Sequence, residues 1–126
     1  MSDIEELHAK ATRKLYKTTL QNVSSEARGW FIGDDHDNIP EYLPLDFCII
    51  DPAVKPSPGQ MGVFRIARSN RNLFRRYTVD GYLPNGQPRI VLEAPNPAVE
   101  ATVIDDRNPC EVIGTLVSHE RNMLLR

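Results

Sequence analysis

The stretch Phe47-Cys48-Ile49-Ile50-Asp51-Pro52-Ala53-Val54-Lys55-Pro56-Ser57-Pro58-Gly59-Gln60-Met61-Gly62-Val63-Phe64 leaves this chain little freedom in what it can become. Phe47 to Ile50 is an apolar run of β-favouring residues, and the Asp51-Pro52 that follows cannot continue a central ladder. Pro52, Pro56 and Pro58 stiffen the connection, and Gly59 supplies the backbone freedom to turn into a second strand beginning at Met61. Strand, tight proline-rich connection, strand: this predicts a mainly β protein with short, sharply bent elements.

The remaining segments agree. Gly29-Trp30-Phe31-Ile32 is another short apolar run. Residues 61–67 and 73–79 flank the polar Arg68-Ser69-Asn70-Arg71-Asn72 as a hairpin, and Asn85-Gly86 marks a further turn before a strand over 89–93. Residues 94–106 read as an irregular crossing segment, and Val112-Ile113-Gly114-Thr115-Leu116-Val117 as a closing strand. The one helical candidate is residues 2–17. There Ser2 and Glu5 match a capping box, and Ile4, Leu7, Ala11 and Leu15 recur at helical spacing. The expected organisation is a helical arm or linker over residues 1–20 and a β domain over 21–126.

With 126 residues, 40% of them hydrophobic, the chain is the size of one ordinary domain with a real core. Fifteen basic and seventeen acidic residues leave a net charge of −2, which gives no global reason to bind nucleic acid. No apolar run approaches the roughly 20 residues that span a bilayer. The amino terminus lacks the basic and apolar regions of a signal peptide. With only Cys48 and Cys110, read as free thiols rather than a disulfide, a reduced cytoplasmic protein is expected.

In wording and order these pieces resemble the carboxy-terminal domain of the LexA/UmuD/phage-repressor family. Ile50-Asp51-Pro52 with Lys55-Pro56-Ser57-Pro58-Gly59 is similar to its "VDP" strand end and "KPxPGD" turn. Leu73-Phe74-Arg75-Arg76-Tyr77 sits where the family carries its "xxKRL/Y". Pro95-Asn96-Pro97 is similar to its "NP" signature, and Glu111 to Val117 to its terminal "VIGxVV" strand. The resemblance covers about residues 27–120 and implies a LexA/UmuD-like, β-clip-like bent sheet. It also implies a dimer, and a Ser-Lys dyad that cleaves its own chain.

The dyad is where this chain departs from the family. A nucleophilic serine needs a desolvated lysine within hydrogen-bond reach to take its proton. Gly33-Asp34 fits the start of the family's "GDSM", but Asp35-His36 stands where Ser-Met belongs, and no serine occurs between Glu26 and Pro56. All four lysines (Lys10, Lys14, Lys17, Lys55) precede the strand that should carry the base, and Arg75 holds its position. Arginine stays protonated at any pH of interest, so it cannot serve. Asp35 and Arg75 are thus degenerate catalytic positions. If the loop packs beside the strand, Arg75 is expected to pair with Asp34, Asp35 or Asp37.

The acidic run Asp34, Asp35, His36, Asp37 matches no metal-binding pattern and reads as a solvated loop; no metal or other cofactor is expected. Arg65, Arg68, Arg71, Arg75 and Arg76 invite a phosphate-binding reading. Strand alternation, however, sends Arg75 and Arg76 to opposite faces, so the five form no single patch.

The function expected from the resemblance is a non-catalytic dimerisation and regulatory module of a phage-type or LexA-like repressor. DNA would be bound only through a separate amino-terminal domain, and an antirepressor or other regulatory protein would act on it. The alternatives are a divergent self-cleaving serine peptidase or UmuD-like SOS mutagenesis factor, and a free-standing phage or bacterial adaptor. The closing strand lacks the polar alternation of a half-exposed strand. Val112, Ile113, Thr115, Leu116 and Val117 are therefore the expected contact of a homodimer or higher homo-oligomer.

Overall fold

The computed structural model describes residues 4–6, 24–33 and 37–121. Eight strands follow one another: β1 (Ile4–Glu6), β2 (Arg28–Ile32), β3 (Phe47–Asp51), β4 (Met61–Ile66), β5 (Arg71–Tyr82), β6 (Pro88–Glu93), β7 (Thr102–Ile104) and β8 (Cys110–Glu120). They form one antiparallel sheet in the order β1-β2-β3-β8-β4-β5-β6-β7, and no helix occurs among the described residues.

The proline-rich connection after β3 is not a hairpin. β3 and β4 do not pair with each other; the last strand, β8, lies between them and pairs with both. Every residue of β3 is buried because both its faces are covered: Cys48 and Ile50 enter one apolar cluster, and Phe47 and Ile49 pack with Ala27 and Phe31 on the other face.

β8 is bulged twice. Opposite β3, Ile49 pairs with Ser118 and Ile50 with Leu116, so Val117 is an extra residue. Opposite β4, Val63 pairs with Gly114 and Phe64 with Val112, so Ile113 is extra. Each bulge bends its strand and sharpens the local twist, and two in one central strand curl the sheet on itself.

The curl encloses the main core. Ile4, Trp30, Ile32, Tyr42, Cys48, Ile50, Met61, Val63 and Phe74 are buried together there, with Ile113 and Leu116 packed against them. Strands far apart in the sheet order, β1 and β5, thereby touch across it. A second cluster of Phe64, Ile66, Leu73 and Leu92 lies on the opposite face, with Tyr77, Ile90, Ile104 and Cys110 along its margin. The alternation of β4, with Val63 in one cluster and Phe64 in the other, divides the two.

Three expectations need correction. Ile4–Glu6 is strand rather than helix: it pairs with Ile32, Phe31 and Trp30, and Ile4 is fully buried. Filling the core under Trp30 and Ile32 outweighs the weak local preference of one turn. The rest of the expected helix, residues 2–3 and 7–17, lies outside the described residues. Residues 94–106 contain a short edge strand, β7, that pairs with β6 through Ile90–Ile104 and Val91–Val103. Finally, the hairpin turn occupies residues 67–70, so β5 begins at Arg71, two residues before the expected start.

Candidate functional site

The connection from β2 to β3 folds over one end of the core and gathers the polar side chains that the sheet brings near it. Its backbone is tied at both ends. Leu45 N–H donates to Ile32 O at 2.9 Å, Ile32 N–H to Asp46 O at 3.0 Å, and Tyr42 N–H to Asn38 O at 2.8 Å. Leu45 takes a left-handed backbone (φ 66°) and leaves its side chain 47% exposed, a costly choice for a leucine that lets the chain turn into β3.

Arg75, on β5, reaches this connection. Its side chain is only 4% exposed; Nη2 donates to Asp37 Oδ2 at 3.1 Å and Nη1 to Phe74 O at 2.9 Å. The neighbouring Arg76 points elsewhere and holds both carboxylate oxygens of Glu41, at 3.0 and 2.9 Å, nearer the surface. Asp34, Asp35 and His36 lie outside the described residues.

Next to this pair lies a second polar cluster that has no signature in the sequence. Asp46 is fully buried and accepts Leu43 N–H at 2.9 Å. His119 Nε2 lies 3.1 Å from its carboxylate and Arg121 Nη1 3.7 Å, while Arg121 Nη2 donates to Glu41 O at 3.1 Å. The His119 ring meets Tyr42 edge-on at 4.7 Å, and Tyr42 meets Phe74 at 4.8 Å. Burial first, and the Glu41 carboxylate second, push the Tyr42 phenol up to about 12, so it stays protonated. Asp46 and His119 are 73 positions apart, and only the insertion of β8 beside β3 brings them together.

The same pairing sets Cys48 directly across from His119. A cysteine, a histidine and an aspartate in one neighbourhood resemble the parts of a nucleophilic site. The thiol, however, is fully buried, and burial together with the Asp46 carboxylate pushes its pKa up, so no thiolate forms. Cys48 is core. Cys110 is also free and sits at the margin of the second cluster.

The serine and lysine chemistry of a self-cleaving site is not assembled among the described residues. Ser24 is bonded to Asp51, its hydroxyl to Oδ1 and its N–H to Oδ2. Lys55, the one lysine described, lines a shallow cavity of about 340 Å³ with Pro56, Tyr77, Ile90 and Val112. Among the described residues no three His, Cys, Asp or Glu side chains converge as a metal site. The arginines divide as alternation requires: Arg65 donates to Asn72, Arg68 is exposed at the turn, Arg75 is buried and Arg76 holds Glu41.

The five residues expected at a dimer contact do not share one environment. Thr115 is 1% exposed and its hydroxyl donates to Val54 O at 2.7 Å. Ile113 and Leu116 pack against the main core, whereas Val112 and Val117 are 47% and 38% exposed. No described helix is long and apolar enough to cross a membrane. Compared with known proteins, the sequence matches no family model and no curated protein.

Proposed function

We propose that this chain is a non-catalytic dimerisation and regulatory module of the repressor kind, built on the LexA/UmuD/phage-repressor plan that its sequence resembles. The observation that supports this best is Arg75. At the position where the resemblance puts a neutral, proton-accepting lysine stands a buried guanidinium tied to Asp37 and to the backbone. A group that cannot lose its proton cannot activate a serine. An ion pair supporting the loop replaces a dyad that would cut the chain. In such a module two linked copies would turn the second DNA contact of an attached binding domain into an intramolecular event. A module without self-cleavage would be switched by a protein partner instead.

Prolonged incubation of the purified protein at alkaline pH, where a lysine base would be neutral, tests the reading. The chain is expected to stay intact. A discrete product that disappears when one serine is replaced would overturn it.

A further inference from the structure

Among the described residues, β8 has one side without a pairing strand over part of its length. β3 accompanies it only from Glu120 to Thr115, and the end of β3 stops at Gly114, where an added Cβ would lie 2.9 Å from the Asp51 carbonyl oxygen. From there β8 continues to Cys110 with β4 on one side, and no strand among the described residues pairs with the other. A free strand edge is a template for another strand, and proteins usually blunt it with charge, proline or a cover. Here the edge carries Val112, 47% exposed.

The cavity lined by Lys55, Pro56, Tyr77, Ile90 and Val112 adjoins this edge. Val112 pairs with Phe64, so both project to the face of the second apolar cluster, whose margin includes Tyr77 and Ile90. The cavity is thus an outward extension of that cluster. Lys55 is the one charged residue of its lining. Lys55 is exposed and makes no hydrogen bond or ion pair among the described residues, whereas Glu111 points to the opposite face, across from Arg65.

We propose that this edge and cavity are a docking site for an extended segment of a partner protein. The segment adds as a strand beside residues 110–113, places one apolar side chain against Tyr77, Ile90 and Val112, and sets a carboxylate against Lys55. Backbone bonds to the edge supply affinity, while the cavity and the lysine supply selectivity. The site does not depend on the loss of catalysis argued above, so an active protease would leave this inference standing.

Selection of random heptapeptides on the immobilised protein is the test. The expected consensus has an apolar residue with an aspartate or glutamate close to it. A synthetic consensus peptide should bind Lys55→Glu and Val112→Lys about tenfold or more weakly than wild type. Both side chains are exposed, so both variants should keep the wild-type urea midpoint. Replacing the acidic residue of the peptide by lysine should restore binding to Lys55→Glu. The proposal is overturned if no consensus emerges, or if binding ignores both substitutions. It is equally overturned if the consensus reproduces residues 110–117 of this chain, which would assign the edge to a second copy.

Discussion

Arg75 and Asp37 share an ion pair but not an environment, and the difference decides which partner can be lost. The guanidinium is 4% exposed and its carboxylate partner 30%. Removing Asp37 takes a carboxylate from a buried cation; removing Arg75 takes a cation from a carboxylate that water can reach. Asp37→Asn should therefore lower the urea midpoint more than Arg75→Met, by about 1–3 kcal/mol against about 1 kcal/mol or less. Equal costs, or the reverse order, would contradict the burial seen here. A second residue-scale effect involves Asp51. Burial by itself would raise its pKa, but hydrogen bonds from the Ser24 hydroxyl, Ser24 N–H and Ala53 N–H win and hold it below the ordinary carboxylate value. A carboxyl depressed in the folded state contributes stability above its unfolded pKa and loses it as pH falls through the folded value. Ser24→Ala should thus cost about 1.5–3 kcal/mol at neutral pH, and the gap to wild type should narrow in acid. Urea titrations of both proteins at neutral and strongly acidic pH would show it; a gap independent of pH would refute the linkage.

The elements show what a one-dimensional pattern can and cannot carry. β3 and β4 were legible almost to the residue, because apolar β-branched and aromatic runs between prolines and glycine have few other uses. β1 and β7 were not: three residues each is too short for a periodicity, and both exist because a neighbouring strand offers an edge. The placement of β8 between β3 and β4 was equally hidden, since pairing across more than 40 residues leaves no local signal. The same holds for Asp46 with His119, whereas the basic position Arg75 and its acidic loop could be read in advance. The two bulges explain why β8 resisted a simple in-and-out reading: an extra residue at Ile113 and at Val117 resets the alternation twice. Gly114 lies between the bulges, and its Cα is closed in on the β3 side, where a Cβ would lie 2.8 Å from Ile50 Cγ2 and 2.9 Å from the Asp51 backbone. The backbone cannot yield as a side-chain tip can. Gly114→Ala should therefore destabilise by about 1–3 kcal/mol despite its better propensity, measured by urea unfolding. A neutral result would mean that β3 and β8 separate more easily than the register implies.

At the scale of the whole molecule, the curled sheet uses most of its apolar residues on its own three buried clusters and leaves a few outside. Leu45, Val79 and Tyr82 are exposed elsewhere, while Val54, Val112 and Val117, each more than a third exposed, belong to β8 or to the connection whose Val54 carbonyl accepts from Thr115 on β8. Val112 lines the cavity at the unpaired edge, whereas Val117, towards the other end of the strand, suits a two-fold contact, in which the same surface serves both partners. The structure also selects the substitution that tests it. A charge at Leu116 would enter the main core and unfold the protein, so loss of a dimer there would say nothing about the interface. Val117 is the extra residue of a bulge and 38% exposed, so a charge there can stay solvated in the monomer. Val117→Glu should keep the wild-type urea midpoint within about 0.5 kcal/mol when both proteins are monomeric. At about 50 μM, sedimentation should show the wild type as a dimer and the variant as a monomer, a shift in dissociation constant of at least about tenfold. A wild type that sediments as a monomer at that concentration would end the dimer reading. A variant that stays dimeric would move the contact away from this end of β8.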